Sequence, residues 1–476
     1  MKSSVDKLRT YQPRVLVVGD LMLDHYLWGK CDRISPEAPV QVVDIKEETT
    51  VLGGAGNVVN NLVSLGAKVD VLSVVGNDDN AQELFEILEK TGIKTEAIFK
   101  QEGRKTSKKS RVIASHQQVV RFDLESKDDI SAMSAVKLIE ACKRILHGVD
   151  VVLLSDYGKG VLTFDVTTTI IKLAKALKKP ILVDPKGEDY RKYKGSTIIT
   201  PNKKEAALAT KIAIIDEASL HEAGNRLRNE LALDYAIITL SEEGMAIFGD
   251  EIYKMPTVAR EVYDVTGAGD TALASLGYAL ACGLDIKAAA AFANKAAAVV
   301  VGKLGSATVT LDEVEAYEHS LGNATSQSKI KTKEELLALL KPSKNQKIVF
   351  TNGCFDILHV GHVKYLEIAR HFGDILIVGL NSDDSIRRLK GASRPINTLE
   401  DRAYILASLE SVSFVVPFSE DTPLALIEAI RPDVLVKGAD YEGKEVVGSQ
   451  IAKEVRLVQF VEGKSTTHII EKAKHQ

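Results

Sequence analysis

Cysteine, tryptophan and surplus positive charge are all scarce in this sequence, and each scarcity closes off a class of protein. The 476 residues include four cysteines, Cys31, Cys142, Cys282 and Cys354, far apart and without paired spacing. That argues against a disulfide framework or a zinc site and fits a reducing compartment, so a cytoplasmic location is expected. Aromatic residues amount to 5%, with one tryptophan, whereas hydrophobic residues together reach 45%. Sizeable cores can therefore be buried. A formal net charge of -4 leaves no basic footprint for extended nucleic-acid binding and favours small-molecule work. No uninterrupted apolar run of ~18 residues occurs, and Met1 to Gln12 is polar, so neither a membrane span nor a secretory leader is expected.

What is present is a repeated alternation of short β-branched runs with helical patterns. Val15-Leu16-Val17-Val18, Val69 to Leu72, Val151 to Leu154, Ile181 to Val183 and Ile237 to Thr239 predict strands, with helices over Ala81 to Thr91 and Val166 to Lys178 between some of them. The pattern predicts an α/β fold with a largely parallel sheet covered on both faces. Pro39 to Ile45 and Gln117 to Asp123 alternate differently and predict a small separate sheet, a lid or a dimer contact. The polar stretch from His319 to Lys329, with a short amphipathic helix at Lys333 to Leu340, predicts a linker over 319–345 between domains at 1–318 and 346–476. Strands at Lys347 to Phe350, Ile375 to Val378 and Val434 to Val436 predict that the second domain is a smaller doubly wound, Rossmann-like one.

Two phosphate-handling signatures sit in this frame. The first is Asp264-Val265-Thr266-Gly267-Ala268-Gly269-Asp270, followed by a helical run. Glycines let the backbone approach phosphate, and a helix N-terminus offers unpaired N–H groups and a positive dipole end. Asp270 would stand where an acceptor hydroxyl meets the γ-phosphate of ATP, as general base. The same residues also suit a glycine turn capping a core helix. Gly53-Gly54-Ala55-Gly56-Asn57 opens another helix, and Asp20 and Asp24 follow the first strand; both groups suit sugar hydroxyls or plain turn chemistry. Asn202 and Glu205 suit either water-mediated Mg·ATP binding or an N-cap with its acidic partner.

These elements, in this order, make residues 10 to 318 resemble the ribokinase-like carbohydrate kinases. The resemblance implies Asp20, Asp24, Gly54 and Asn57 at the sugar, Asn202 and Glu205 near Mg·ATP, and Ser241 and Gly244 near the nucleotide. It further implies Asp270 as catalytic base, with Gly267, Ala268 and Gly269 as anion hole. A phosphorylated sugar needs additional cations, for which Arg33, Lys105, Arg111, Arg121 and Lys186 are candidates.

The second signature is Asn352-Gly353-Cys354-Phe355-Asp356 leading to His359-Val360-Gly361-His362. Two imidazoles at a helix start can donate to triphosphate oxygens and stabilise charge at the α-phosphate as pyrophosphate leaves. Metal ligation is the alternative, but no third ligand lies nearby and no metal-binding residues are assigned. Lys390, Arg394, Arg402, Lys437 and the Ser465-Thr466-Thr467 run are further candidates for phosphate contact. This half, residues 346 to 476, resembles the cytidylyltransferase-like nucleotidyltransferases, a likeness that includes Phe355 and Asp356 in the nucleotide site.

The combination, with Arg387 to Pro395 (Arg-Arg-Leu-Lys-Gly-Ala-Ser-Arg-Pro) and Leu435 to Tyr441, is similar to the bifunctional heptose 7-phosphate kinase/heptose 1-phosphate adenylyltransferases of Gram-negative bacteria. That resemblance implies ATP with Mg²⁺, phosphorylation at O1 of D-glycero-β-D-manno-heptose 7-phosphate, and AMP transfer to the 1-phosphate, giving ADP-heptose for lipopolysaccharide core. It also implies a separate heptose bisphosphate phosphatase between the steps, and a homo-oligomer through the lid strands. Residue types alone leave open another sugar phosphate, another nucleobase, or a nucleotide-binding regulator without turnover.

Overall fold

In the computed structural model the chain divides into two compact units, Met1–Glu318 and His319–Gln476. The structure describes residues 7–114, 117–259, 262–303, 305–322, 326–340 and 346–459.

The first unit is built on a nine-stranded sheet. From one edge its strands run Ile252–Met255, Met245–Phe248, Tyr235–Thr239, Ile198–Ile199, Ile181–Asp184, Val151–Ser155, Arg14–Gly19, Lys68–Gly76 and Ile98–Gln101. Every pairing is parallel except the two at the first-named edge, which are antiparallel. Arg14–Gly19 shows why the sequence is so aliphatic. Its Val15 and Val17 enter one core and Leu16 and Val18 the other, so a run buried on both faces needs no polar alternation. This strand is flanked by Lys68–Gly76 on one side and Val151–Ser155 on the other, so the winding reverses here. The C-terminal ends of strands at such a reversal form a crevice.

Four further strands form a separate sheet in the order Gln41–Gly54, Leu21–Ile34, Ser107–Ala114, Gln117–Leu124. Both segments singled out by their different alternation belong to it. Gln117–Leu124 is exposed at every position, including Val119, Val120, Phe122 and Leu124.

The second unit has a five-stranded parallel sheet, ordered Phe414–Phe418, Ile375–Asn381, Ile348–Gly353, Val434–Gly438, Glu454–Val458. The expected linker needs correction. Its described part carries helices Ser326–Lys329 and Lys333–Leu340 that belong to this unit: Ile330 bridges to Val415, the Lys331 N–H donates to Val415 O at 3.0 Å, and Leu336 is fully buried. The polar run before Ile330 hid these attachments, and Leu336 is the buried residue of helix Lys333–Leu340.

Arg402 also differs from expectation. Rather than reaching for phosphate, it is 1% exposed and donates to Asn397 O, Cys354 O, Asn381 O and the Asp383 carboxylate, at 2.7–3.1 Å. It ties the loop after the first strand of this unit to the loop after the second. Arg402→Met removes the donors of three backbone carbonyls and is expected to cost roughly 3 kcal/mol. Hydrogen exchange in Ile348–Gly353 and Ile375–Asn381 should then accelerate about a hundredfold, with Arg14–Gly19 unaffected; equal protection in mutant and wild type would refute the hub role.

Candidate active sites

In the first unit, helix Ala268–Ala281 begins at Gly267, whose φ of 78° is left-handed. A Cβ there would lie 2.5 Å from the Asn57 amide nitrogen, so glycine is required both for the turn and for what stands against it. Asp270, in the first helical turn, is 4% exposed. Its Oδ2 accepts from Asn57 Nδ2 at 2.9 Å and its Oδ1 from the Tyr157 hydroxyl at 2.6 Å. Asn57 is brought there by helix Ala55–Ser64, which starts from Gly54 at φ 56°. Burial pushes the Asp270 carboxyl up to about 6, against the lowering effect of the two hydrogen bonds. A carboxylate so placed is a base strong enough to take a hydroxyl proton at neutral pH.

Asp24 lies nearby on the lid sheet, 6% exposed, its Oδ1 2.6 Å from Arg111 Nη1 and its Oδ2 3.4 Å from the Ser306 hydroxyl. A Cβ on Gly53 would stand 2.3 Å from Asp24 Oδ2. Asp20, expected at the sugar, is engaged by the backbone instead. It is 1% exposed and its carboxylate accepts three backbone N–H groups, from Tyr157 at 2.9 Å, Lys159 at 3.0 Å and Val161 at 3.1 Å. Asp20 therefore moulds the loop that carries Tyr157.

Beyond Asp270 opens a cleft of about 190 Å³ lined by Tyr157, Asp184, Lys186, Asn202, Glu205, Thr239 and Gly269, among others. A Cβ on Gly269 would meet nothing within 4 Å, so its backbone faces open space. Of the three residues expected to form an anion hole, Gly267, Ala268 and Gly269, the Ala268 N–H donates here to Val265 O at 3.2 Å. Asn202 and Glu205 form a complete capping box on helix Lys203–Thr210, and Glu205 Oε1 also holds Lys186 Nζ at 2.7 Å. Lys186 is thus grouped with the capping carboxylate rather than with Asp24. Ser241 and Gly244 lie in the turn between Tyr235–Thr239 and Met245–Phe248, whose facing ends Thr239 and Met245 line the cleft; the two turn residues are not themselves in the lining. Of the other cations proposed for a sugar phosphate, Arg111 is spent on Asp24 and Arg121 on Asp123, while Arg33 and Lys105 are exposed.

In the second unit, helix Val360–Arg370 starts at His359, whose Nδ1 accepts from the Gly361 N–H at 3.2 Å. The His359 and His362 rings stack with centroids 3.9 Å apart, and Phe355 meets His362 edge-on at 5.3 Å. Burial, then the neighbouring His359 and Lys390, hold His362 down to about 4, and its Nδ1 is buried without a hydrogen-bond partner. His362 is therefore neutral at pH 7. It lines a cavity of about 580 Å³ with Asn352, Phe355, Asp356, Lys390 and Lys437. Lys437, 6% exposed, donates to Asn352 Oδ1. Asp356 Oδ1 accepts from Ile396 N at 2.7 Å and Asn397 N at 3.1 Å, and its Oδ2 is 2.8 Å from Arg394 Nη1. Asp356 and Arg394 thus hold the 394–397 turn together. Ser465, Thr466 and Thr467 lie outside the described residues.

Three site residues escaped the sequence reading: Tyr157, Lys109 and Asp184. Each has a signal that could have found it. Tyr157 sits in Ser155-Asp156-Tyr157-Gly158-Lys159-Gly160, a polar glycine-rich turn at the end of a central strand, and Asp184 ends the next strand. Lys109 is the register partner of Asp24 across the lid sheet.

A carboxyl raised in the folded state binds its proton more tightly there than when unfolded. Stability contributed by Asp270 is therefore lost as pH rises through about 4 to 6, and the burial cost is fully present above that window. Asp270→Asn should raise unfolding stability at pH 7.5 by about 2–3 kcal/mol, with the gain vanishing toward pH 4. Chemical denaturation at the two pH values checks this; a destabilised variant at pH 7.5 would contradict it.

The two sites can be set beside known proteins. Residues 12–313 match the pfkB family carbohydrate kinases and residues 350–475 the cytidylyltransferase-like family. The proteins named Bifunctional protein HldE from Sulfurimonas denitrificans and Aliarcobacter butzleri are 58% and 60% identical to this chain. The first alignment spans 98% of both chains and the second 97% of both. Among solved structures, phosphofructokinase-2 of Escherichia coli superposes with a TM-score of 0.55 at 17% identity, over 65% of this chain and 100% of its own. The ribokinase of Arabidopsis thaliana, solved with ribose and ATP, gives 0.52 at 18%, over 64% of this chain and 99% of its own. These two share the fold of the first unit. A ribokinase-like sugar kinase unit followed by a cytidylyltransferase-like unit, matched end to end by such close relatives, makes this chain a member of the bifunctional HldE family.

Proposed function

We propose that the chain carries out both ATP-dependent activations of one sugar: phosphorylation at O1 of D-glycero-β-D-manno-heptose 7-phosphate, and AMP transfer to D-glycero-β-D-manno-heptose 1-phosphate. The observation that carries this is the pairing in one chain of two helix starts with different chemistry. One has a buried, proton-hungry carboxylate beside a glycine helix start; the other has two stacked imidazoles at a helix start.

In the first reaction Asp270 takes the O1 proton as O1 attacks the γ-phosphorus and ADP leaves. Gly267 and Gly269 at the helix start favour negative charge on the transferring group. Asp24 and Asn57 hold sugar hydroxyls. Burial, then Asp270 and Glu205, push the Asp184 carboxyl well above its ordinary value. A hard cation relieves such a crowd of carboxylates, which suits Asp184 and Glu205 to Mg²⁺ arriving with ATP, directly or through water. In the second reaction the sugar phosphate is already an anionic nucleophile and needs no base. His359 and His362 donate hydrogen bonds to the phosphate oxygens, and Lys390 and Lys437 neutralise charge, as pyrophosphate leaves the α-phosphorus.

The 7-phosphate must leave between the two steps, so a separate bisphosphate phosphatase is part of the proposal. The location proposed is the cytoplasm; no helix among the described residues is long and apolar enough to cross a membrane. The wholly exposed strand Gln117–Leu124 supports a homo-oligomer built through the lid sheet. Light scattering at micromolar concentration should give at least twice the 51.7 kDa chain mass, and a monomer would contradict it.

With ATP, Mg²⁺ and heptose 7-phosphate, mass spectrometry should find the 1,7-bisphosphate alone. Adding a sugar-bisphosphate 7-phosphatase should yield ADP-heptose and pyrophosphate. Asp270→Asn should lower bisphosphate formation by at least about 10³-fold with adenylyl transfer intact, and His362→Ala should do the reverse. Turnover of a different sugar phosphate only would remove heptose from the proposal.

A further inference from the structure

We infer that Tyr157 is a positioning residue for the kinase reaction, holding the Asp270 carboxylate in its attacking orientation and setting the pH at which it works as a base. The inference rests on Asp270 being that base.

Asp270 is a buried carboxylate with no cation in contact among the described residues. Its two hydrogen bonds among them come from neutral donors on different parts of the chain: Asn57 on Oδ2 and Tyr157 on Oδ1. A carboxylate held on one oxygen only can still swing about its χ2 bond, and the second donor removes that freedom. Each oxygen retains a further lone-pair direction, so accepting from Tyr157 does not block proton uptake from a sugar hydroxyl.

The tyrosine is itself held with unusual care. Its own N–H and those of Lys159 and Val161 all converge on the Asp20 carboxylate, and the Gly158 N–H donates to Asp156 Oδ1 at 2.7 Å. Asp156 is in turn fixed by Lys192 Nζ at 2.5 Å and the Tyr193 hydroxyl at 2.7 Å. Two buried carboxylates thus serve a single five-residue turn, which is far more than a surface connection requires. What that turn presents to Asp270 is a phenol.

The phenol is kept as a donor. Burial first, then the charge of Asp270, hold Tyr157 well above its ordinary value, so the proton stays on the tyrosine. Lys109 Nζ stands 5.5 Å from the centre of the same ring. The charged groups around Asp270 are therefore Asp24 and Lys109 from the lid sheet and Asp184 from the strand beside the Tyr157 turn, with neutral Asn57 from helix Ala55–Ser64. Asp24 raises the carboxyl, Lys109 lowers it, and Tyr157 is the larger lowering influence.

Tyr157→Phe keeps the ring and its packing and deletes only the donor. The acidic limb of the kinase kcat/KM profile should move up by about one pH unit. At pH 8, kcat should fall about tenfold with either KM changed less than about twofold. Lys109→Gln should move the same limb in the same direction. Adenylyl transfer by the second unit, unchanged in both variants, controls for folding and concentration. A Tyr157→Phe profile superimposable on wild type, or a loss confined to KM, would overturn the positioning role while leaving Asp270 as base. Full kinase activity in Asp270→Asn would instead overturn the reading on which it rests.

Discussion

The first unit depends on a carboxylate kept in a buried place and held by neutral partners. Pairing Asp270 with an arginine would relieve its desolvation, but would also drop its proton affinity and make it a weaker base. The fold supplies neutral hydrogen bonds instead, from Asn57 and Tyr157, and spends the available arginine, Arg111, on Asp24. Much else follows. Gly267 has no side chain because the Asn57 amide occupies that space, and Gly54 adopts a left-handed turn so that the helix bearing Asn57 can begin there. The reversal of winding around Arg14–Gly19 gathers the ends of three neighbouring strands, and with them Asp20, the Tyr157 turn and Asp184.

The second unit meets a different electrostatic demand with a similar layout. Its central strand, Ile348–Gly353, also lies where the winding reverses, and a helix again starts beside it. In the proposed reaction the nucleophile brings its own charge, so no buried base is needed. A neutral His362 stacked on His359 avoids having two imidazolium ions in contact before an anion arrives. The surrounding cations are tethered to their own partners, Lys437 to Asn352 and Arg394 to Asp356, which fixes their positions in advance.

The sheets were legible in the sequence because a strand buried on both faces must be continuously apolar, as Val15 to Val18 and Val151 to Leu154 are. The glycine signatures were legible as helix starts because a positive-φ residue ahead of a helix favours glycine, as at Gly54 and Gly267. Roles that depend on partners distant in the chain were not. Asp20 and Asp24 look equivalent in Gly19-Asp20-Leu21-Met22-Leu23-Asp24, yet one is saturated by backbone N–H groups and the other faces Arg111. Arg402 has the composition of a phosphate ligand and the environment of a core hub. Lys186 and Glu205 could be read singly but not as a pair, and Leu336 made a segment that looked like a linker part of a core.

In the proposed function the chain places a phosphate on the sugar in one site and later uses that same phosphate as nucleophile in the other. The most direct test follows the atoms. With the 7-phosphatase present, ATP labelled at the γ-phosphorus should leave its label in ADP-heptose, in the phosphate bonded to the sugar, and ATP labelled at the α-phosphorus should leave its label in the AMP moiety. ADP-heptose lacking γ-derived phosphorus, or carrying α-derived phosphorus next to the sugar, would contradict the account.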